Sequence, residues 1–82
     1  MKEVRVIFFA SLREEVGCDE IAVQAGSLNE LLDELRRQLS ETAIIALTAE
    51  NVRIAVNQML VDGVVDLQPG DEVAFLPPVT GG

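Results

Sequence analysis

The chain has no histidine, no tryptophan and no tyrosine, and it carries a single cysteine, Cys18, and a single lysine, Lys2. Without histidine, zinc sites built on imidazole, Cys–His dyads and Ser–His–Asp triads are excluded. One thiol cannot form an internal disulfide, which fits a reducing compartment. Basic residues are scarce: six Lys and Arg stand against fourteen Asp and Glu, a net charge of −8. Nucleic-acid binding relies on cations that neutralise phosphates and release counterions, so this balance argues against a nucleic-acid partner. Anionic membrane surfaces are disfavoured for the same reason. Long apolar runs are also missing, the longest being Val6–Ala10 and Ala43–Leu47 at five residues each. A bilayer span takes about 20. The opening Met1-Lys2-Glu3-Val4-Arg5 lacks the apolar stretch of a secretory leader. The expectation is a cytoplasmic protein without membrane association.

What is present suits one small globular domain. The length is 82 residues, and 49% hydrophobic against 24% charged residues separates the chain from disordered compositions. A chain of this size buries only about 60–65% of its unfolded surface, too little to expect an enclosed cofactor cage. A small acidic protein is better suited to docking on a basic patch of a larger one.

The apolar pattern predicts an order of elements. Residues 3–10 are rich in β-branched and aromatic side chains on both faces, as in a central strand. Ser11–Gly17 predicts one or two helical turns stopped by Gly17. Asp19–Gln24 alternates Ile21 and Val23 with wetter positions, a strand expected to pair antiparallel with the first. Ser27 and Glu30 have the spacing of a capping box, and Leu28, Leu31, Leu32, Leu35 and Leu39 form one stripe of the helix that follows. Residues 41–50 fit a short helix or a loop equally. Val52–Gln58, Met59–Val61 and Glu72–Leu76 predict three more strands, with a tight turn at Asn57-Gln58. Strand, strand, helix, strand, short strand, strand specifies an α+β roll of the ubiquitin-like, β-grasp type. Such a roll has a mixed four- to five-stranded sheet, one main crossover helix, and the first and last strands as a parallel central pair. We expect this domain to occupy residues 1–76, followed by an extended, flexible tail at 77–82.

Conventional chemistry finds no support in the body of the chain. The acidic pairs Glu14-Glu15, Asp19-Glu20 and Asp71-Glu72 are sequence neighbours that point apart and hold neither a shared proton nor a metal. Cys18 has no histidine to activate it, and it is read as incidental. The glycines have no phosphate-loop spacing. The tail Pro77-Pro78-Val79-Thr80-Gly81-Gly82 is different. The proline pair stiffens the chain as it leaves the fold, and six residues extend roughly 20 Å. Two glycines without Cβ can thread a channel too narrow for side chains. The only reactive group there is the α-carboxylate of Gly82. A carboxylate is a poor electrophile until an ATP-using partner converts it to an acyl-adenylate. Sulfur attack then gives a thiocarboxylate, and attack by a lysine or cysteine gives an amide or a thioester.

The segment Val4-Arg5-Val6-Ile7-Phe8-Phe9-Ala10-Ser11-Leu12-Arg13-Glu14, with Gly17 three residues further on, resembles the opening of the sulfur-carrier (small) subunits of molybdopterin synthase. Val56-Asn57-Gln58 and Asp71-Glu72-Val73-Ala74-Phe75-Leu76-Pro77-Pro78-Val79-Thr80-Gly81-Gly82 resemble later blocks of that family. Leu76 departs from the pattern, standing where a second aromatic is associated with it. The resemblance implies a ubiquitin-like fold and a thiocarboxylate on Gly82, made by an E1-like adenylyltransferase that uses ATP and passes on sulfur from a donor. It implies no cofactor and no metal bound by this chain. It further implies a large catalytic subunit, in a heterotetramer, whose active site takes up Pro77, Pro78, Val79, Thr80, Gly81 and Gly82. There sulfur passes to cyclic pyranopterin monophosphate to build the molybdopterin dithiolene. An apolar patch would complete the docking surface, with Phe75, Leu76 and Leu60 as candidates. The chain alone is then not an enzyme but the sulfur-donating subunit of one. The rivals are a sulfur carrier for thiazole synthesis or tRNA thiolation, a ubiquitin-like protein modifier, and an interaction module with an inert tail.

Overall fold

In the computed structural model, which describes residues 3–77, strand β1 (Glu3–Phe8) places Val4, Val6 and Phe8 on one side, all essentially buried. The expected strand over 3–10 ends two residues early. Phe9 is still extended, but Ala10 has φ of 50°, and this left-handed residue turns the chain into helix α1 (Ala10–Val16). Gly17 closes α1 at φ of 94°, a region that costs a residue with a Cβ roughly 1–2 kcal/mol. β2 (Glu20–Gln24) returns antiparallel to β1, with Val23 buried and Glu20, Ala22 and Gln24 exposed.

Helix α2 (Leu28–Gln38) buries Leu28, Leu31 and Leu35 against the sheet, while Leu32 and Leu39 are half-buried along its margin. Its cap differs from a capping box in one bond. The Glu30 backbone N–H donates to Ser27 Oγ at 3.2 Å, but the Glu30 carboxylate accepts from Gly26 N–H at 2.7 Å rather than from Ser27. The ambiguous segment 41–50 contains helix α3 (Glu41–Leu47), capped by Ser40 Oγ, which accepts from Ala43 N–H at 3.1 Å. α3 buries Ala43, Ile44 and Leu47 and packs against α1, a tertiary contact that selects helix over loop.

β3 (Arg53–Val56), β4 (Met59–Val61) and β5 (Glu72–Leu76) complete a five-stranded mixed sheet in the order β2-β1-β5-β3-β4. β1 and β5 are the parallel pair, as expected, and the architecture is the ubiquitin-like α+β roll. Asn57 and Gln58 both have positive φ, 52° and 71°, which makes the two-residue β3–β4 turn one whose twist suits a hairpin. Phe8 and Phe75 stack at the centre of the core with ring centroids 5.8 Å apart. The connection from β4 to β5 is pinned beneath α2, since Leu28 N–H donates to Val65 O and Leu67 N–H to Gly26 O, and Leu67 is 2% exposed.

Asn57, in the β3–β4 turn, is tied to Asp71 at the end of this connection. Asn57 Nδ2 donates to Asp71 Oδ1 at 2.9 Å, Gln68 N–H donates to Asp71 Oδ2 at 2.8 Å, and Glu72 N–H donates to Asn57 Oδ1 at 3.0 Å. The Gln68 bond, and after it the Asn57 bond, hold the Asp71 carboxyl below its ordinary value of 3.8, against a small opposing effect of burial. A folded-state value below the unfolded one adds stability that is fully present above the unfolded value and vanishes as pH falls through the folded one. Asp71→Ala is therefore expected to destabilise by about 1 kcal/mol near pH 7. The difference should shrink in urea melts taken at progressively lower pH below 3.8. A gap that is constant with pH would remove the carboxylate from this account.

Candidate functional site

Register defines what each sheet face presents. Val6↔Val73 and Phe8↔Phe75 share the helix-covered face, so Ile7↔Ala74 lie on the opposite, outer face. Ala74 is opposite Ala55, and Ala55 is opposite Leu60, so one row runs Ile7, Ala74, Ala55, Leu60 across four strands. The two alanines form a low floor, only 4% and 5% exposed, while Leu60 stands proud at 67%. Leu76, two residues beyond Ala74, is half-buried on the same face, and Phe9, two beyond Ile7 on extended backbone, is 44% exposed. The result is a shallow apolar dish with Phe9, Leu76 and Leu60 around an alanine floor. Charged side chains border it: Arg5 spans to Glu20 at 3.5 Å and Glu72 at 3.0 Å, and Arg53 lies opposite Leu76.

The dish adjoins the end of β5, where the tail begins. β5 is the middle strand, held on both sides, and its last cross-strand contacts are Phe9 N–H donating to Phe75 O at 3.2 Å and the pairing of Leu76 with Arg53. Pro77 follows, half-buried, and has no N–H with which to extend the ladder. The remaining tail candidates, Pro78, Val79, Thr80, Gly81 and Gly82, lie outside the described residues.

One expected interface residue is corrected. Phe75 is 0% exposed and stacked on Phe8, because odd positions of β5 share the face that α2 covers. It is a core residue and has no surface to offer a partner. Leu60 and Leu76 do lie on the outer face. Phe9 was missed: the apolar run Phe8-Phe9 looks buried on both faces, and strand alternation past Phe8 was the available signal that Phe9 points outward. Elsewhere, Cys18 is half-buried, and no cluster of three His, Cys, Asp or Glu able to hold a metal occurs among the described residues. A hollow of about 370 Å³ between α2 and the β3–β4 hairpin is lined by apolar residues together with Asn29, Glu50, Arg53 and Asp62, and it gathers no nucleophile with a base among the described residues. No helix among the described residues is long and apolar enough to cross a membrane.

The described outer surface is an apolar dish that adjoins the root of the tail. Residues 6–82 match the model of the ThiS family, a span that includes both. The chain belongs to the ThiS family. Within that family it is 43% identical over 81 residues to the molybdopterin synthase sulfur carrier subunit of Escherichia coli (strain K12), covering 96% of this chain and 99% of that protein. Among solved structures, this ThiS-family fold superposes on small archaeal modifier protein 1 from Methanosarcina acetivorans with a TM-score of 0.82 and 26% identity, covering 100% of this chain and 98% of the other. It also matches a chain in the protein–protein complex of subunits 1 and 2 of molybdopterin-converting factor from Helicobacter pylori 26695, with TM-score 0.73, 31% identity and coverage of 98% and 99%. The similarity to molybdopterin synthase sulfur carrier subunits runs along nearly the whole chain. It covers 96% of the chain for the Escherichia coli protein and 100% for that of Mycobacterium tuberculosis (strain ATCC 25618 / H37Rv), which is 35% identical over 86 residues.

Proposed function

We propose that this chain is the sulfur carrier subunit of a molybdopterin synthase, with Gly82 as its reactive terminus and the outer dish as its docking face. The observation that carries the proposal is the union of apolar dish and tail root at the end of the central strand, in a chain whose relatives are sulfur carriers. An E1-like adenylyltransferase attacks ATP with the Gly82 carboxylate, forming an acyl-adenylate and releasing pyrophosphate. A sulfur nucleophile displaces AMP and leaves a thiocarboxylate. The large subunit seats Phe9, Leu60 and Leu76, takes in residues 77–82, and passes the sulfur to cyclic pyranopterin monophosphate. A dithiolene has two sulfurs, so two loaded carriers are consumed for each molybdopterin. ATP belongs to the activating partner, and the carrier works in the cytoplasm.

Intact-mass spectrometry of the untagged chain, incubated with the activating enzyme, ATP and a sulfur source, tests the chemistry. A gain equal to sulfur replacing one oxygen, mapped to Gly82, is the expected result. No gain with any activating enzyme would sink the carrier proposal. Lysine-linked conjugates that require Gly82 would favour the protein-modifier alternative, which the fold shared with a small archaeal modifier protein keeps in view.

The dish has its own test. Leu60→Asp inserts a charge into the docking face and is expected to weaken binding to the large subunit by about 2 kcal/mol or more, roughly thirtyfold. Stability should change by less than about 0.5 kcal/mol, because Leu60 is already exposed. The net charge of −8 adds a kinetic expectation: the association rate falls as salt rises, through screening of attraction to a basic rim. Binding unchanged by Leu60→Asp would remove the dish from the interface.

A further inference from the structure

Three residues other than glycine have positive φ among the described residues: Ala10, Asn57 and Gln58. Asn57 and Gln58 are the two centre residues of the β3–β4 hairpin turn, where positive φ suits the twist of the strands. Ala10 has no such reason. Left-handed backbone is disfavoured for a residue with a Cβ, and the exposed Ala10 methyl gains no burial that would offset the cost. The residue before it is also locally disfavoured. Phe9 is the N-cap of α1, where Ser, Thr, Asp or Asn are preferred, and its side chain makes no capping bond. Two anchors hold this corner. Phe9 N–H donates to Phe75 O at 3.2 Å, which keeps Phe9 beside β5 with its ring at the outer dish. Leu12, three residues later, is buried in the core. Strained backbone persists only where its surroundings over-determine it, and here the left-handed turn at Ala10 joins the two anchors.

We propose that Ala10 is a positioning residue for docking, a left-handed corner that holds the Phe9 ring on the outer face beside Leu76. The inference rests on the carrier function proposed above, in which that face meets the large subunit. Relaxing Ala10 to the right-handed region swings the start of α1, and one anchor must give way. Burial of a leucine outweighs a single hydrogen bond, so Leu12 stays in place and the Phe9 bond breaks. The strain therefore serves the position of Phe9 and not the integrity of the core. It lowers the stability of the free domain and presents the ring already placed, so that docking has less to order.

Two replacements of opposite handedness test this on the full chain. D-alanine at position 10 favours positive φ, and it can be introduced by chemical ligation of residues 1–17 to residues 18–82 at the Gly17-Cys18 junction. It is expected to raise the unfolding midpoint by about 4–8 °C and to bind the large subunit no more weakly than the wild type. Ala10→Pro instead fixes φ at about −65°. Proline suits the first position of a helix and the extended Phe9 before it, so handedness is what this substitution changes. The variant should stay folded, exchange its Phe9 amide proton at least about tenfold faster, and bind the large subunit at least about tenfold more weakly. In a Phe9→Ala background, Ala10→Pro should cost no further affinity, a result that a general disturbance of the fold would not give. Three outcomes overturn the inference. One is D-alanine that brings no gain in stability or weakens docking. Another is Ala10→Pro that leaves the Phe9 amide and docking as in the wild type. The third is Ala10→Pro that does not fold, since the corner would then serve the core. A wild-type chain that does not bind the large subunit would sink the carrier function instead, and the stability and exchange measurements would still decide what the corner holds.

Discussion

Deletion of Thr80 is expected to abolish sulfur loading and transfer while leaving the fold as stable as before. The variant keeps Pro77-Pro78, the Gly-Gly end and a free α-carboxylate, and only its reach changes, by about 3.3–3.6 Å. Reacting atoms must approach within about 3–3.5 Å, so one lost residue leaves the carboxylate short of the ATP phosphate or of the pterin by a whole contact distance. A misplacement of only about 1 Å is worth roughly a hundredfold, so the loss here should exceed that. Pyrophosphate release with the activating enzyme and dithiolene formation with the large subunit measure the two steps separately. Thermal unfolding should be unchanged, because the last strand ends at Leu76 and the core of the described residues is complete by Phe75. A variant that loads and transfers at near wild-type rates would mean that the tail is not a measured arm. Removal of Gly81 and Gly82 would then have to distinguish a loosely held terminus from an inert one.

Phe75→Ala is expected to have the largest effect on the fold. The side chain is fully buried on the central strand and stacked on Phe8, so its loss removes the middle of the core. Large-to-small changes of this kind cost about 3–5 kcal/mol. At roughly 0.05–0.15 kcal/mol per residue, a domain of this size has only about 4–12 kcal/mol in total. The variant should unfold about 15–30 °C lower than the wild type, or fail to fold at the growth temperature. Leu60→Ala, on the outer face of the same sheet, should move the midpoint little and weaken docking instead. Urea denaturation and large-subunit binding of the two variants give the comparison. The reverse pattern, with Phe75 silent in stability and Leu60 costly, would contradict the assignment of faces.

Much of this molecule was legible along the chain because its signals are local. The Leu28–Leu39 stripe, the Ser27 cap, Gly17 as a helix stop and the Asn57-Gln58 turn each involve residues within a few positions of one another. The parallel pairing of β1 with β5 was also accessible, since the two most apolar strands take the positions covered on both flanks. Helix α3 was not legible, because its seven residues are too few to be stable alone and form against α1. The structural meaning of two quoted motif residues was hidden for a similar reason. Asn57 and Asp71 lie fourteen residues apart and meet only when β3 and β5 pair.

The sequence by itself determined the roll, the acidic charge and the absence of histidine. Each follows from composition or from short-range periodicity. Only the tertiary structure decided which apolar residues are core and which are surface. Phe75 and Leu76 are neighbours of similar character, yet one lies under α2 and the other borders the outer dish. Alternation along a strand divides residues into two sets, but it does not say which set the helix will cover. Packing of α2 settles that by burying the set containing Val73 and Phe75, and it leaves Leu76, Phe9 and Leu60 on the face beside the tail.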